Sequence, residues 1–244
     1  MTDPFAIDGP AVISFSGGRT SGYLLRRVLD AGLRPDVHVL FADTEKERDE
    51  TYAFVEACAQ RWTVTVHRVG RPGGFTQLIA DRKFLPNPVT RFCTQELKIR
   101  PMRDWMLAHG YTHWTNVVGI RADEPRRVAK MRAAAETRSE RWDIALPLAD
   151  AGVTEAEVMT FWAQQAFDLQ LRQHEGNCDL CFLKAPRKRQ QIMRDRPDLA
   201  GWWIEQERRM GSTFRVDCPS YAALAAQGDL FTEDGRLTEC FCHD

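Results

Sequence analysis

Long apolar runs are missing from this chain. No stretch approaches the ~18 residues that a membrane-spanning helix needs, so an α-helical membrane protein is excluded and no membrane partner is expected. The opening MTDPFAIDGPAVISF has no basic stretch followed by an apolar core, the mark of a secretory signal, and a cytoplasmic location is the expectation. An excess of one charge is missing too. Thirty-three Lys+Arg against 34 Asp+Glu leave a formal charge of -1, which excludes a globally cationic nucleic-acid binder. With 43% hydrophobic and 27% charged residues the chain is neither disordered nor collagen-like. Internal repeats and linker-like stretches are absent. The histidines (His38, His67, His109, His113, His174, His243) form no His-x-x-x-His or triad-like pattern, and none is given a catalytic task. The 244 residues suffice for one medium domain, or a domain with a small appendage, without disulfide staples.

What is present in unusual supply is cysteine. Cys58, Cys93, Cys178, Cys181, Cys218, Cys240 and Cys242 make an odd count with tight pairs, which fits a reducing compartment and metal or redox chemistry better than a disulfide frame. Cys58, inside the helical pattern TYAFVEACAQRW, reads as a small core hydrophobe. The other six all lie beyond residue 90, in polar or glycine-flanked segments.

The first two-thirds of the chain alternates short β-rich runs with helical patterns. AVISFS (11–16), DVHVLFAD (36–43), TVTVHRV (63–69) and WTNVVGI (114–120) read as strands, with RWDIALPL (141–148) as a fifth. Helices are expected after the first glycines, over 50–62 and over 95–110, the last interrupted or opened by Pro101. Such alternation implies right-handed βαβ units, hence an α/β doubly wound fold with a mainly parallel sheet; the strand order stays open. Residues 1–150 are expected to form the α/β core. Residues 151–244 are expected to form a cysteine-bearing helical and loop extension packed on the same domain. In it Thr154 and Glu157 make a capping box that opens a helix over 155–166, and a further helix spans about 197–210. Trp162, Trp202 and Trp203 read as core rather than as a base-stacking platform. Residues 184–196 and 82–103 are basic runs, read either as solvated helix faces or as contacts to an anionic partner.

SFSGGRTSG, Ser14 to Gly22, joins the first strand to the first helix. Adjacent Gly17 and Gly18 allow close backbone approach, helix N-terminal amides point outward, and Ser16, Arg19, Thr20 and Ser21 add donors. The product is an anion cradle at the C-terminal edge of a parallel strand, where open α/β sheets bind ligands. Its spacing is neither G-x-G-x-x-G nor the Walker pattern. Cys178 and Cys181 form a C-x-x-C loop whose thiolates can meet one metal or cluster, and Cys93 stands just before a helix that favours a thiolate. A dithiol, inert buried cysteines and zinc remain the alternatives at this stage. Arg121, Arg126, Arg127, Lys98 and Arg91 are candidate clamps for phosphate or sulfate oxygens, Arg121 and Lys98 foremost. Asp43, at a strand end, is placed to contact ribose, adenine or a metal.

Strand followed by S-G-G-x-x-S resembles the PP-loop of the adenine nucleotide α-hydrolase superfamily. One branch, the phosphoadenylyl-sulfate (PAPS) and adenylyl-sulfate (APS) reductases, is similar along nearly the whole chain. FADTEKERDETYAFV (41–55) is similar to its D-T-G-x-x-F-P-E-T-Y segment through Asp43, Thr44, Glu50, Thr51 and Tyr52. CTQELKIRPM (93–102) resembles C-C-x-x-R-K-x-x-P-L through Cys93, Lys98 and Pro101. VGIRADEPRR (118–127) resembles the substrate segment through Gly119, Arg121 and Glu124, and the closing LTECFCHD resembles E-C-G-[LI]-H through Glu239, Cys240 and His243.

The resemblance implies an oxidoreductase that binds PAPS or APS on Ser16, Gly17, Gly18, Arg19, Thr20, Ser21, Asp43, Lys98 and Arg121. Cys240 is then the catalytic nucleophile, and thioredoxin or glutaredoxin the reducing partner. It also implies a 4Fe-4S cluster on Cys93, Cys178 and Cys181, with zinc as the lesser alternative. Thr94 occupies the family's fourth cysteine position, so Cys240, Cys242 or Cys218 completes the set, Cys242 being counted among the candidate ligands, or one iron stays open. The alternative function is an ATP- and Mg2+-dependent PP-loop sulfurtransferase acting on nucleic acid, by tRNA thiolation or DNA phosphorothioation. Thr20 stands against it, replacing the aspartate of S-G-G-x-D-S. The sequence is compatible with a homo-oligomer.

Overall fold

The computed structural model describes residues 3–137, 140–172, 175–176 and 178–226. In chain order it runs β1 (Ala11–Ser14), α1 (Arg19–Ala31), β2 (Val37–Asp43), α2 (Asp49–Arg61), β3 (Val66–Gly70), α3 (Gly74–Arg82), α4 (Phe92–Thr94), a π-helical turn (Gln95–Ile99) and α5 (Arg100–Ala108). There follow β4 (Trp114–Val118), α6 (Pro125–Thr137), β5 (Trp142–Ala145), α7 (Pro147–Asp150), α8 (Glu155–Ala163), α9 (Pro186–Asp195), a 3-10 turn (Pro197–Leu199), α10 (Ala200–Met210) and α11 (Tyr221–Ala226).

The five strands form one sheet in the order β3-β2-β1-β4-β5, with every pairing parallel. The chain thus winds outward from β1 to β3, returns to the other side of β1 and continues to β5. Between β1 and β4 the order reverses, so the loops after these strands diverge and leave a crevice at their C-terminal ends. β1 is buried through Ala11, Val12 and Ile13, as a central parallel strand covered on both faces must be.

The apolar interior is assembled in three clusters. One, under β1 and α1, gathers Phe15, Leu24, Leu25, Val28, Phe54, Val117, Leu148 and Trp162. A smaller one lies on the opposite face around Leu40, Met106 and Trp114. The third combines residues 75–97 with residues 180–224 around Trp203, Phe214 and Tyr221, and it surrounds the cysteine loop. Cys58 is fully buried in the first, as its helical setting predicts. Trp162 and Trp203 are buried, and Trp202 is half-buried.

Three local expectations change. The helix anticipated over 95–110 opens as a π-helical turn, because Pro101 stands in the first turn of α5 with no N–H to give to the turn before it. The capping box of Thr154 and Glu157 is formed, and α8 ends at Ala163. The basic run 184–196 is a solvated face only in part: Arg187 and Arg194 are exposed, whereas Lys184 and Arg189 point inward and are buried. No helix of the described residues is long and apolar enough to cross a membrane.

Candidate functional site

The glycine turn closes on itself. Gly17 has φ 72°, and a Cβ there would lie 2.5 Å from Thr51 Cγ2, so only glycine fits against the start of α2. Gly18 is the N-cap of α1. Its amide donates to Ser21 Oγ (3.2 Å), and that hydroxyl donates to the Gly18 carbonyl (2.9 Å) and lies 3.0 Å from Ser16 Oγ. Arg19 departs from its expected place on an anion. Its guanidinium donates to both carboxylate oxygens of Asp168 (2.8 and 2.7 Å) and to the carbonyls of Leu169 and Leu171, which turns the cation into a rivet for residues 168–171.

Arg121, after β4, faces the turn from the other wall of the crevice. It donates from Nη1 to Thr20 Oγ1 (3.2 Å), from Nε to Asp123 (2.9 Å) and from Nη2 to Glu155 (3.3 Å). Ser16, Thr20, Ser21 and Arg121 therefore meet at the reversal point of the sheet. Arg127 pairs with Glu124, which also accepts from the Arg121 amide (3.0 Å). Asp43, at the end of β2, accepts from Tyr52 Oη (2.7 Å), the Glu45 amide (2.8 Å) and Arg68 Nε (2.7 Å). Burial alone would raise its pKa; these hydrogen bonds and the Arg68 charge outweigh burial and hold the carboxyl below its ordinary value.

Cys93 and the Cys178–Cys181 turn come together from two remote segments, and a third, residues 46–48, joins them. Residues 46–48 are laid against residues 175–179. The Asp179 amide donates to the Lys46 carbonyl (2.8 Å), Glu47 and Cys178 form an antiparallel bridge, and buried Arg48 donates to Glu175 (3.0 Å). The C-x-x-C turn is fastened further. Asp179 accepts from Trp203 Nε1 (2.9 Å), Tyr221 Oη donates to the Leu180 carbonyl, and Lys184 donates to the carbonyls of Cys178 and Asp179.

Cys93 enters on α4, just ahead of the π-helical turn that carries Lys98. Burial alone would lower the Lys98 pKa; the neighbouring Cys178, Glu47, Cys181 and Cys93 raise it, so the ammonium stays charged among three thiols and the Glu47 carboxyl, itself pushed up to about 8 by burial and by Cys178. Cys178 is pushed well above its ordinary value by its hydrogen bond with Cys181 and by burial, and Cys93 is raised by burial and by Cys178. Glu47 was not singled out by its place in the sequence. It is 8% exposed and accepts from Thr44 Oγ1 (2.9 Å) and from Cys178 Sγ (3.7 Å); its second oxygen, Oε2, is buried without a hydrogen-bond partner among the described residues. Among the described residues no three His, Cys, Asp or Glu side chains are drawn tightly enough around one point to hold a single metal ion. Cys218 lies in the segment between α10 and α11; Cys240, Cys242 and His243 fall outside the described residues.

The glycine turn and the thiol group share the C-terminal edge of the sheet, one after β1 and the other joined to the loop after the adjacent β2. A cleft of about 600 Å³ opens further along this edge, at the end of β3, lined by Arg68, Arg71, Arg100, Arg103 and Trp105 among others. The sequence reading marked 82–103 as basic, and this cleft shows where part of that charge goes.

The model of the phosphoadenosine phosphosulfate reductase domain matches residues 10–170. An uncharacterized nin region protein of Escherichia phage lambda is 34% identical over 206 residues, 72% of this chain and 67% of that protein. A crystal structure of phosphoadenylyl-sulfate (PAPS) reductase from Candida auris, a phosphate complex, is similar with a TM-score of 0.48 and 16% identity, over 69% of this chain and 82% of that one. The U34-tRNA thiolase NcsA from Methanococcus maripaludis, with its 4Fe-4S cluster, is similar with a TM-score of 0.46 and 13% identity, over 89% and 80%. The matched stretch holds the glycine turn, Asp43, Cys93, Lys98 and Arg121 and spans more than half of the sequence: the chain belongs to the phosphoadenosine phosphosulfate reductase domain family.

Proposed function

We propose that this protein is a PAPS/APS reductase-like enzyme that binds an adenylyl-sulfate nucleotide at the Ser16–Ser21 turn, beside a 4Fe-4S cluster on Cys93, Cys178 and Cys181. The observation that carries this reading is the gathering of three thiols around the Lys98 ammonium, next to the strand whose loop forms the anion cradle. The donor set suits the group: soft thiols from two segments, with a buried Glu47 carboxyl oxygen from a third that has no hydrogen-bond partner among the described residues. A lone zinc ion needs its thiolates within about 2.3 Å of one point, whereas a cluster takes each thiolate on a different iron and accepts wider spacing. When bound, the cluster would bring a polarisable iron–sulfide core beside the nucleotide, and the positive charge facing the sulfate end would come from Lys98.

The remaining roles fall to the chain. The amides opening α1, with the Ser16 and Thr20 hydroxyls, hold phosphate oxygens. Arg121 reaches the same crevice, where an anion competes with Asp123 and Glu155 for its fork. Lys98 bridges the thiol group and the sulfate. In this reading the Cys240 thiolate attacks the sulfonyl sulfur: an S–S bond forms, the S–O bond breaks, and the adenylate departs with the electron pair. A thioredoxin or glutaredoxin dithiol then releases sulfite and is oxidised to its disulfide.

A second reading has one observation in its favour. The cleft at the end of β3 gathers Arg68, Arg71, Arg100 and Arg103, whose guanidinium groups a nucleic-acid backbone would draw from Asp43, Asp81, Glu96 and Asp104, as a sulfurtransferase using ATP and Mg2+ would need.

The two separate in one set of assays on anaerobically purified protein. The reductase reading expects sulfite from APS or PAPS with thioredoxin, abolished by Cys240→Ser; sulfite release that survives this substitution removes the nucleophile. The transferase reading expects AMP and pyrophosphate from ATP only when RNA or DNA is present.

A further inference from the structure

We infer that Glu47 is the fourth protein ligand of the metal centre, occupying through its carboxylate the place that Thr94 leaves without a thiol. The inference rests on the proposed cluster and adds a ligand from a segment where no cysteine lies.

Three independent features place Glu47 there. First, its backbone is fixed against the cysteine loop: Glu47 and Cys178 pair as a β-bridge, and the adjacent Asp179 amide donates to Lys46. Position 47 cannot drift from position 178 without breaking this pairing and the buried Arg48–Glu175 ion pair beside it. Second, its side chain is aimed at the thiols. Oε1 lies 3.7 Å from Cys178 Sγ, and Cys93 and Cys181 face the same Lys98 that Glu47 does. Third, its hydrogen bonding is half used. Thr44 Oγ1 donates to Oε1 and sets the carboxylate plane, while Oε2 is buried with no hydrogen-bond partner among the described residues. A buried carboxyl oxygen left unpaired costs stability; the Lys98 ammonium nearby lends charge but no hydrogen bond to Oε2, and a metal cation held by the thiols would satisfy it.

The chemistry is consistent with that geometry. A carboxylate is a harder donor than a thiolate, so it binds iron well but exchanges more readily. Thr44 is the supporting donor that ligating carboxylates require to keep their orientation. Binding releases a proton from each thiol and from the carboxyl, and these protons pass to solvent. The ammonium of Lys98 offsets part of the negative charge that three thiolates and a carboxylate bring together.

The test uses the full chain, reconstituted anaerobically with ferrous iron and sulfide, and reads Mössbauer and electron paramagnetic resonance spectra with iron counts; circular dichroism confirms that each variant is folded. Wild type is expected to show one iron site distinct from the other three. Glu47→Cys should erase the distinction and give an all-thiolate spectrum. Glu47→Ala should lose about one iron in four on mild oxidation and yield a three-iron signal. The inference is overturned if the Glu47→Ala spectrum and iron count match wild type, or if wild type is already all-thiolate and becomes site-differentiated in Cys218→Ser, Cys240→Ser or Cys242→Ser. If wild type takes up zinc alone, X-ray absorption decides: three sulfurs and one oxygen keep Glu47 as ligand although the cluster is lost, and four sulfurs overturn it. Wild type that binds neither metal removes the metal centre and this ligand together.

Discussion

Two tryptophans divide the functional edge of this protein between them. Trp162 is buried in the first core cluster and donates from Nε1 to the Arg19 carbonyl at the glycine turn (2.8 Å). Trp203 is buried in the third cluster and donates from Nε1 to Asp179 in the C-x-x-C turn (2.9 Å). Each indole thus carries one half of the site, but the halves are built differently. The glycine turn is local: six consecutive residues close on their own hydroxyls and amides, over an apolar floor. The thiol group is non-local and held by buried charge: Arg48 on Glu175, Lys46 on Asp179, and Lys184 on two carbonyls. A turn of the first kind depends on backbone conformation. A group of the second kind depends on a few charge pairs, each expensive to break.

The largest effect is therefore expected at Arg48. Arg48→Met keeps the stem's volume and leaves Glu175 buried without its cation, which should cost about 3–4 kcal/mol. The loss should be regional. Hydrogen exchange is expected to speed up over residues 175–184 and to stay slow at 19–25 on α1. Uniform acceleration along both segments would mean that the two halves unfold as one unit, and the contrast would fall.

The glycine turn should answer to backbone geometry instead. In Gly17→Ala the new methyl meets Thr51 and must hold a positive φ, for about 2–3 kcal/mol of strain and overpacking together. Adenine-nucleotide binding, read by calorimetry, should vanish in this variant while iron incorporation persists. Arg48→Met should show the reverse pattern.

This division also explains what the sequence makes legible. The strands, the parallel sheet and the glycine turn are written in contiguous residues, since periodicity and adjacent glycines act over a few positions. Lys98 and Cys93 are found through a short motif. Glu47 is invisible by such means. It lies 131 residues from Cys178, and only the pairing of two loops makes them neighbours. Lys184 and Arg189 mislead in the same way: a run of cations reads as a solvated surface, but third-cluster packing turns these two inward, Arg189 over the Tyr221 ring at 5.0 Å. Strand order is likewise beyond local reading, because only tertiary packing decides on which side of β1 the chain returns.

The tryptophans themselves give a sharper and smaller contrast. Trp162→Phe and Trp203→Phe lose similar volume, so their cavity costs should nearly cancel in the comparison. The remaining difference is the acceptor. Trp162 serves a neutral carbonyl, and a lost neutral hydrogen bond costs about 1 kcal/mol; Trp203 serves a carboxylate, where the loss is about 2 kcal/mol. Chemical denaturation should find Trp203→Phe less stable by about 1 kcal/mol. Equal midpoints would show that Lys46 and the Leu180 amide already satisfy Asp179.

The smallest effect is expected where the two modes of construction overlap. Arg19 belongs to the glycine turn by sequence, but its guanidinium is spent on Asp168 and two carbonyls. The side chains of the pair are 18% and 33% exposed, so solvent screens the attraction and Asp168→Asn should cost no more than about 1 kcal/mol, or ~2–4 °C in Tm. Nucleotide affinity should hardly change, because this cation is not among those facing the crevice, whereas Arg121→Ala removes one that is. Should Asp168→Asn alter nucleotide Kd as much as Arg121→Ala does, Arg19 touches the anion after all. The first half of the site would then depend on a long-range ion pair, as the second does.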